Sequence, residues 1–301
     1  MTKHARHSDD DVAVVIPAKD EQQRIAATVA AARTIPGVDV IIVVDDGSHD
    51  DTARVARSAG ATVVRHAQNR GKGAAMRTGA AVVSGLDTRD GRKKPRHLLF
   101  LDADLEETAK AGDALVAPIR DRSADMTIAV LPQQLRAGGG FGFVVRASRD
   151  GIRKLTEFEP TQPLSGQRCL TRAAFDAAQP LAYGFGVETG LTIDLLRKGF
   201  VIKEVEADFH HRVTGRDLRS QVHRLRQYAH VQAALANRRR SGVAAVPAAR
   251  TRPAEESTAP VRAAVTPAPR QAAEPKAAKP KAAKPAPPEE SAVPAAPDPD
   301  R

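Results

Sequence analysis

The stretch VDVIIVVDDGSHDDT (residues 38–52) combines the features that decide the fold. It begins as an apolar run rich in β-branched residues, which is typical of a strand buried on both faces of a sheet. Two carboxylates and a Gly-Ser pair follow, and Thr52 stands where a helix would begin. This order of strand, polar loop and helix predicts one unit of an α/β fold, with its loop at the carboxyl end of the strand.

The same order recurs on both sides of this stretch. Further apolar runs predict strands at residues 12–17, 61–66, 97–104 and 125–131, and a last strand is predicted for VIKEVEAD at residues 201–208. Helical patterns separate them at residues 22–33, 52–59, 73–84 and 108–121. The sequence therefore predicts an α/β protein with a mostly parallel, Rossmann-like sheet flanked by helices.

Polar loops follow the predicted strands. They read PAKDEQQR, DDGSHDDT, QNRGKGAAMRTG and DADLEE. Taken singly, each loop is explained by helix capping or by a tight turn, and the pair of acids in DAD could equally be turn residues, caps or ligands of a divalent cation. Because ligands collect at the carboxyl ends of parallel strands, four such loops at one edge favour a ligand site.

The ends of the chain differ in composition from its core. From about residue 241 the sequence is dominated by Ala, Pro, Lys and Glu, with repeated AAKP units that lack large apolar side chains. Such segments cannot bury enough apolar surface to offset the entropy of ordering. We therefore predict a disordered N-terminus at residues 1–11, a single domain at residues 12–240 and a disordered tail at residues 241–301.

Charge and composition limit the partners. The formal charge of +10 and the pI of about 10.0 predict an anionic partner, but aromatic residues make up only 3% of the 301 residues and Trp is absent, so we expect no nucleic acid. One cysteine excludes an internal disulfide. No apolar leader and no run of about 18 apolar residues occurs. The expectation is a cytoplasmic protein, at most peripheral at the inner face of a membrane, with a homodimer left open.

Four motifs in order carry a family resemblance. VVIPAKDE, IIVVDDGSHDDT, NRGKGAAMRTG and LFLDAD resemble the successive nucleotide-sugar motifs of family 2-type glycosyltransferases with a GT-A fold, over residues 12–237. The resemblance implies a metal-dependent enzyme that transfers a hexose from a nucleotide sugar, with UDP-glucose as the expected donor and Mg²⁺ or Mn²⁺ as cofactor. The alternative from another class is a sugar nucleotidyltransferase, whose Gly-rich first loop is missing from PAKDEQQR.

The resemblance also implies residue roles on the donor side. Nucleotide-sugar binding falls on Pro17, Ala18, Glu21, Asp46, Lys72, Gly73 and Asp102. Asp104 would be a catalytic residue and a direct metal ligand, and His211 would be the second ligand, with His210 as the alternative. Carboxylate oxygen and imidazole suit Mg²⁺ or Mn²⁺.

Two motifs on the acceptor side resemble narrower groups within the family. QPLSGQRCLTR (residues 162–172) and YGFGVETGLTIDLLRKGF (residues 183–200) are similar to glucosyl-3-phosphoglycerate synthases and, more loosely, to polyprenyl-phosphate sugar synthases. The similarity implies a catalytic Glu188, at the start of a predicted helix. The implied acceptor-binding residues are Arg146, Ser165, Gly166 and Arg212.

One departure from that similarity affects the acceptor. In RAGGGFGFVVRASR (residues 136–149), phenylalanines replace the anion-binding residues expected after the glycines. A phosphorylated acceptor is expected, and polyprenyl phosphate is favoured because Phe141 and Phe143 add apolar surface beside Arg146. A small phosphorylated acid is the alternative.

The last predicted helix, at residues 217–240, is strongly basic. Its apolar stripe is predicted at Leu218, Val222, Leu225, Ala229 and Gln232. We expect this stripe to pack against the domain. The alternative is an interfacial helix that presents the site to a lipid-linked acceptor.

Overall fold

The computed structural model describes residues 10–131, 142–210 and 218–241, with the side chains of the last range described from residue 225 onward. The predicted disordered segments lie almost wholly outside these ranges, so those two predictions stay predictions. Phe141, His211 and Arg212 also lie outside the described residues.

A mixed sheet forms the centre of the described chain. Its strands are β1 (Val12–Ala18), β2 (Val38–Asp45), β3 (Thr62–Arg65), β4 (His97–Phe100), β5 (Met126–Val130), β6 (Arg168–Leu170) and β7 (Ile202–Glu206). The seven strands lie in the order β3-β2-β1-β4-β6-β5-β7. β1 pairs in parallel with β2 and β4, and its residues from Val12 to Ile16 are fully buried. The apolar run of β1 is therefore covered on both faces.

Helices flank this sheet. The α-helices are α1 (Ile25–Ala32), α2 (Thr52–Ser58), α3 (Lys72–Arg89), α4 (Asp113–Arg120), α5 (Gly142–Thr156), α6 (Arg172–Ala177), α7 (Val187–Arg197) and α8 (Leu218–Arg240). Two 3₁₀ helices, η1 (Glu106–Gly112) and η2 (Gly184–Gly186), precede α4 and α7. In the described ranges, no helix is both long enough and apolar enough to cross a bilayer.

The predicted α/β architecture is confirmed, with one strand added. β6 pairs antiparallel with both β4 and β5, whereas the neighbouring pair of β5 and β7 is parallel. β6 has only three residues and begins with a buried arginine, so no apolar run marks it in the sequence. β6 joins the half-sheet β3-β2-β1-β4 to the half-sheet β5-β7.

Two predicted details are wrong. β4 ends at Phe100 rather than continuing to residue 104, so the two acids of DAD lie in a loop and not at alternate positions of a strand. In the described part of α8 the predicted stripe does not face the domain, because Leu225 is 65% exposed and Ala229 is also exposed. The side chains of Leu218 and Val222 lie outside the described residues. α8 instead buries Val231 and Leu235 against α5 and α7.

Candidate active site

A cleft of about 400 Å³ opens at the carboxyl ends of β1 and β2, beside the first turn of α3. One wall consists of Pro17, Ala18, Lys19, Asp46, Asn69, Gly71, Lys72, Ala75 and Asp102. The other wall, from η2 and α8, consists of Tyr183, Gly184, Phe185, Arg226 and His230. Five of the seven residues predicted to bind the nucleotide sugar thus line one cleft, and the second wall was not predicted.

Lys72 lies at the centre of the site. It is the first residue of α3, and its Nζ lies 2.7 Å from Asp102 Oδ1 and 3.1 Å from Glu188 Oε1. Burial lowers the pKa of Lys72, but the two carboxylates outweigh burial and raise that pKa above its ordinary value. Lys72 is therefore a permanent ammonium group that links the DAD loop to the first turn of α7.

Asp102 is held from a second side. Its Oδ2 accepts a hydrogen bond of 2.7 Å from Nε2 of Gln167, a residue only 1% exposed. Ser165 in turn donates to Oε1 of Gln167 at 3.2 Å. Gln167 belongs to the QPLSGQR motif but was missed as a site residue, because its role depends on a contact 65 residues away in the sequence.

Gly166 permits this close arrangement. A Cβ atom at Gly166 would lie 2.8 and 2.9 Å from the carboxylate oxygens of Asp102, and it would also collide with the ammonium group of Lys72. Such separations are below those of normal contacts. Ser165 and Gly166, which were predicted to bind the acceptor, therefore lie directly beside the donor-side pair.

Asp46 organises the loop that precedes Lys72. Its Oδ1 accepts from the Arg70 amide at 2.8 Å and lies 2.7 Å from His66 Nδ1, while its Oδ2 accepts from the Gly71 amide at 2.8 Å. On its other side, His66 Nε2 lies 2.9 Å from Thr78 Oγ1. Asp46 is predicted to contact the base or ribose, and in the structure its carboxylate holds the cleft loop in place.

Glu21 and Gly73 are the two predicted donor-side residues that do not line the cleft. Burial raises the pKa of Glu21, the nearby carboxylates of Asp104 and Asp50 raise it further, and a 2.7 Å hydrogen bond from Arg24 opposes the rise. Gly73 is buried, and a Cβ atom there would lie 2.9 Å from the Ala182 carbonyl oxygen.

The donor set beside the cleft fits a hard divalent cation only in part. Asp104 offers carboxylate oxygens, which Mg²⁺ and Mn²⁺ prefer. Among the described residues, no three His, Cys, Asp or Glu side chains are grouped closely enough to hold a metal ion. His210 is 62% exposed at its side chain and lies 3.7 Å from an oxygen of Asp208. The choice between His210 and His211 therefore stays open.

The arginines of α5 do not gather around Lys72 as the donor-side residues do. Arg146 is exposed on α5. Arg149, one turn later, donates to the carbonyl oxygens of Pro160 and Thr161 at 2.9 and 2.7 Å, so it ties the end of a loop to the helix. Of the two arginines predicted to bind the acceptor, Arg146 is exposed and Arg212 lies outside the described residues.

A buried arginine makes hydrogen bonds to the backbone of the acceptor-side segments. Arg168, on β6, is 1% exposed and donates to the carbonyl oxygens of Ser165 at 2.9 Å and Glu188 at 3.2 Å. Burial lowers the pKa of Arg168 to about 10. Arg168 therefore fixes the two backbone segments whose side chains surround Lys72. A fully buried charge in a short strand has no sequence signature, so this residue was also missed.

The fold defines a GT-A class protein, with a cleft at the carboxyl ends of its parallel strands. Residues 13–176, more than half of the chain, match the family model described as Glycosyl transferase family 2, and the chain belongs to that family. The family membership inferred from the four sequence motifs is confirmed.

Individual relatives agree with this membership. Glycosyltransferase AglJ of Haloferax volcanii is 28% identical over 221 residues, covering 69% of this chain and 66% of the relative. Glucosyl-3-phosphoglycerate synthase of Mycolicibacterium paratuberculosis is 29% identical over 208 residues, covering 61% and 59%. The chain thus spans no more than two thirds of these curated relatives.

A solved structure extends the similarity to the fold. Glucosyl-3-phosphoglycerate synthase from Mycobacterium tuberculosis, in complex with Mn²⁺, UDP and phosphoglyceric acid, is similar with a TM-score of 0.61 and 27% identity, covering 76% of this chain and 78% of that one. Another structure of the same enzyme holds Mn²⁺, UDP-glucose and phosphoglyceric acid. The similarity of the fold therefore includes most of the described chain.

Proposed function

We propose that this protein transfers a hexose from UDP-hexose, with UDP-glucose as the expected donor, to a phosphorylated acceptor in a metal-dependent reaction. The observation that carries the proposal is the position of Lys72. Its ammonium group joins Asp102 of the DAD loop at 2.7 Å to Glu188 of the acceptor-side motif at 3.1 Å, in the cleft lined by the donor motifs. Donor and acceptor motifs thus meet at one cation.

The residues of the cleft would act mainly by position and charge. Lys72 would stabilise the negative charge that develops on the departing UDP, since its neighbours keep it protonated. A bound Mg²⁺ or Mn²⁺, which Asp104 and His211 would hold, supplies Lewis-acid stabilisation of the diphosphate. Glu188 is only 7% exposed, so it would orient sugar or acceptor hydroxyls at short range rather than through water.

For the acceptor, we propose polyprenyl phosphate, with peripheral contact to a membrane. Among the described residues, three exposed large hydrophobic side chains belong to α5 or α8: Phe143, Leu225 and Tyr228. The rings of Phe143 and Tyr228 touch, with centroids 5.4 Å apart. α8 carries no acidic residue. A basic, partly aromatic surface beside the cleft suits an anionic lipid interface.

A small phosphorylated acid is the second candidate. It is supported by the similar enzyme whose complexes contain phosphoglyceric acid. The exposed side chains of Phe143, Leu225 and Tyr228 would then serve another purpose, such as contact with a second copy in a homodimer. The two acceptors differ in one testable respect, because only a lipid acceptor requires the apolar surface.

The experiment is a product-mass assay. The protein is incubated with UDP-glucose and Mg²⁺ or Mn²⁺, together with a panel of polyprenyl phosphates, 3-phosphoglycerate and related acids, and products are identified by mass spectrometry. Glucosylated lipid phosphate supports the first proposal, and turnover with 3-phosphoglycerate alone supports the second. A parallel reaction with UTP and glucose 1-phosphate tests the nucleotidyltransferase alternative. UDP-glucose formation there, without transfer to any acceptor, would contradict both proposals.

A further inference from the structure

The second wall of the cleft is built around His230 of α8. Its imidazole makes an edge contact with the ring of Tyr183, with centroids 5.2 Å apart, and stacks on the ring of Phe185 at 5.7 Å. The Phe185 amide donates to its Nδ1 at 3.3 Å. The ring is therefore fixed by two aromatic neighbours and one hydrogen bond.

Close packing confirms that the ring has little room to move. A Cβ atom at Gly184 would collide with His230 Nδ1 and lie 2.6 Å from its Cε1. The same glycine approaches the opposite wall, because a Cβ atom on Gly71 would lie 3.8 Å from the Gly184 Cα. Gly71 immediately precedes Lys72. His230 is thus set at a fixed distance from the first turn of α3.

The hydrogen bond to Nδ1 also fixes the tautomer. Since Nδ1 accepts from a backbone amide, a neutral imidazole must carry its hydrogen on Nε2. Burial lowers the pKa of His230, and the charge of Arg226 lowers it further. The ring is therefore neutral at physiological pH, with Nε2–H as a donor.

The residues opposite His230 indicate which part of a substrate lies between the walls. They are Pro17 and Ala18 at the end of β1, together with Asp46 and Asn69 in the loops that follow β2 and β3. The acceptor-side residues Ser165 and Gly166 do not line this cleft. The part of the space between Pro17, Ala18, Asp46 and the second wall is therefore bordered by residues predicted to bind the nucleotide.

We propose that His230 and Tyr183 clasp the nucleotide of the donor from the side opposite to the donor motifs. His230 Nε2–H donates a hydrogen bond to an oxygen of the nucleotide, and the Tyr183 ring, which is 70% exposed, packs on the face of the base. Arg226, which also lines this wall, adds positive charge for the phosphate oxygens. The proposal rests on the proposed function, because it requires a nucleotide donor.

The test is titration calorimetry of UDP in the presence of Mn²⁺. His230→Phe keeps a ring between Tyr183 and Phe185 but removes the donor, so the dissociation constant should rise about tenfold, the effect of one hydrogen bond. His230→Gln places an amide donor near the position of Nε2 and should stay within about threefold of the unchanged protein. His49→Phe is the matched control, because His49 is 87% exposed at its side chain and does not line the cleft.

Tyr183→Ala provides a second arm, at a side chain that is 70% exposed. It should weaken UDP about fivefold and leave the affinity for pyrophosphate unchanged, since pyrophosphate lacks the base. Unchanged UDP affinity in His230→Phe, or equal losses for UDP and pyrophosphate in Tyr183→Ala, would overturn the proposal. If the unchanged protein binds no UDP, the donor assignment itself fails, and the proposal falls with it.

Discussion

The two half-sheets joined by β6 place site residues in different ways. In the half-sheet β3-β2-β1-β4, site residues follow their strands directly, as Asp46 follows β2. The acceptor-side residues Gly166 and Glu188, and His230 of the second wall, come from a loop and from helices. The first wall is therefore set by local strand–loop–helix units, whereas these residues are positioned by contacts between distant segments. Lys72 joins the two groups, because it belongs to the first wall and contacts Glu188.

The largest effect is expected from removing the ammonium group of Lys72, which contacts both Asp102 and Glu188. In Lys72→Met, Asp102 and Glu188 lose their shared cation, so the free energy of unfolding should fall by about 3 kcal/mol. Transfer should fall by a factor of at least about 100, because the charge on the leaving group is no longer stabilised. Chemical denaturation and steady-state kinetics measure the two effects.

Lys110→Met is the matched control, since Lys110 is exposed on η1. It should change neither quantity beyond experimental error. A kcat of Lys72→Met within threefold of the unchanged protein would show that the transfer reaction does not depend on the ammonium group of Lys72.

A smaller effect is expected from crowding the same contact. In Gly166→Ala the added methyl group must displace Asp102 or Lys72, which should lower kcat about tenfold to a hundredfold and cost about 1–3 kcal/mol of stability. The control is Gly85→Ala in α3, where a Cβ atom meets nothing within 4 Å. That change should stabilise the protein by about 0.5–1 kcal/mol. Thermal melting and kinetics would decide, and equal behaviour of both variants would refute the crowding argument.

The first wall can be weakened on its own through His66. His66→Gln loses the contact from Nδ1 to Asp46, so the loop before Lys72 should loosen and UDP should bind about fivefold more weakly. His66→Asn places an amide nitrogen near Nδ1 and should recover most of this loss. Calorimetry of the two variants provides the comparison. Identical affinities would mean that the hydrogen bond to Asp46 does not position the loop.

The smallest effect concerns the strand that joins the half-sheets. Cys169 of β6 is fully buried, and burial raises the pKa of its thiol to about 12. Since thiolate is the reactive form, labelling by iodoacetamide at pH 8 should be negligible until the protein unfolds. Labelling followed by mass spectrometry, across a urea series, reports this opening. Rapid labelling of the native protein would show that the junction opens without global unfolding.

The same contrast explains how far the sequence predicts the structure. Asp46 and Lys72 were predicted because they lie in motifs that resemble those of the family, and the local order of strand, loop and helix places these motifs at one edge of the sheet. Gln167 and Arg168 were missed because β6 is too short to show a pattern and because their contacts span distant parts of the chain. His230 was missed because the periodicity of α8 favoured Leu225 as the inward residue, while packing against α5 and α7 selects another face.

The cleft is proposed above all to bind a nucleoside diphosphate together with a divalent metal ion. The most direct test is calorimetry of UDP with and without Mn²⁺, using the unchanged protein, Asp104→Asn and the control Glu107→Gln, whose carboxylate is exposed on η1. We predict that Mn²⁺ strengthens UDP binding in the unchanged protein and the control, and that this gain disappears in Asp104→Asn. UDP binding that is independent of Mn²⁺, or a gain that survives in Asp104→Asn, would contradict the account.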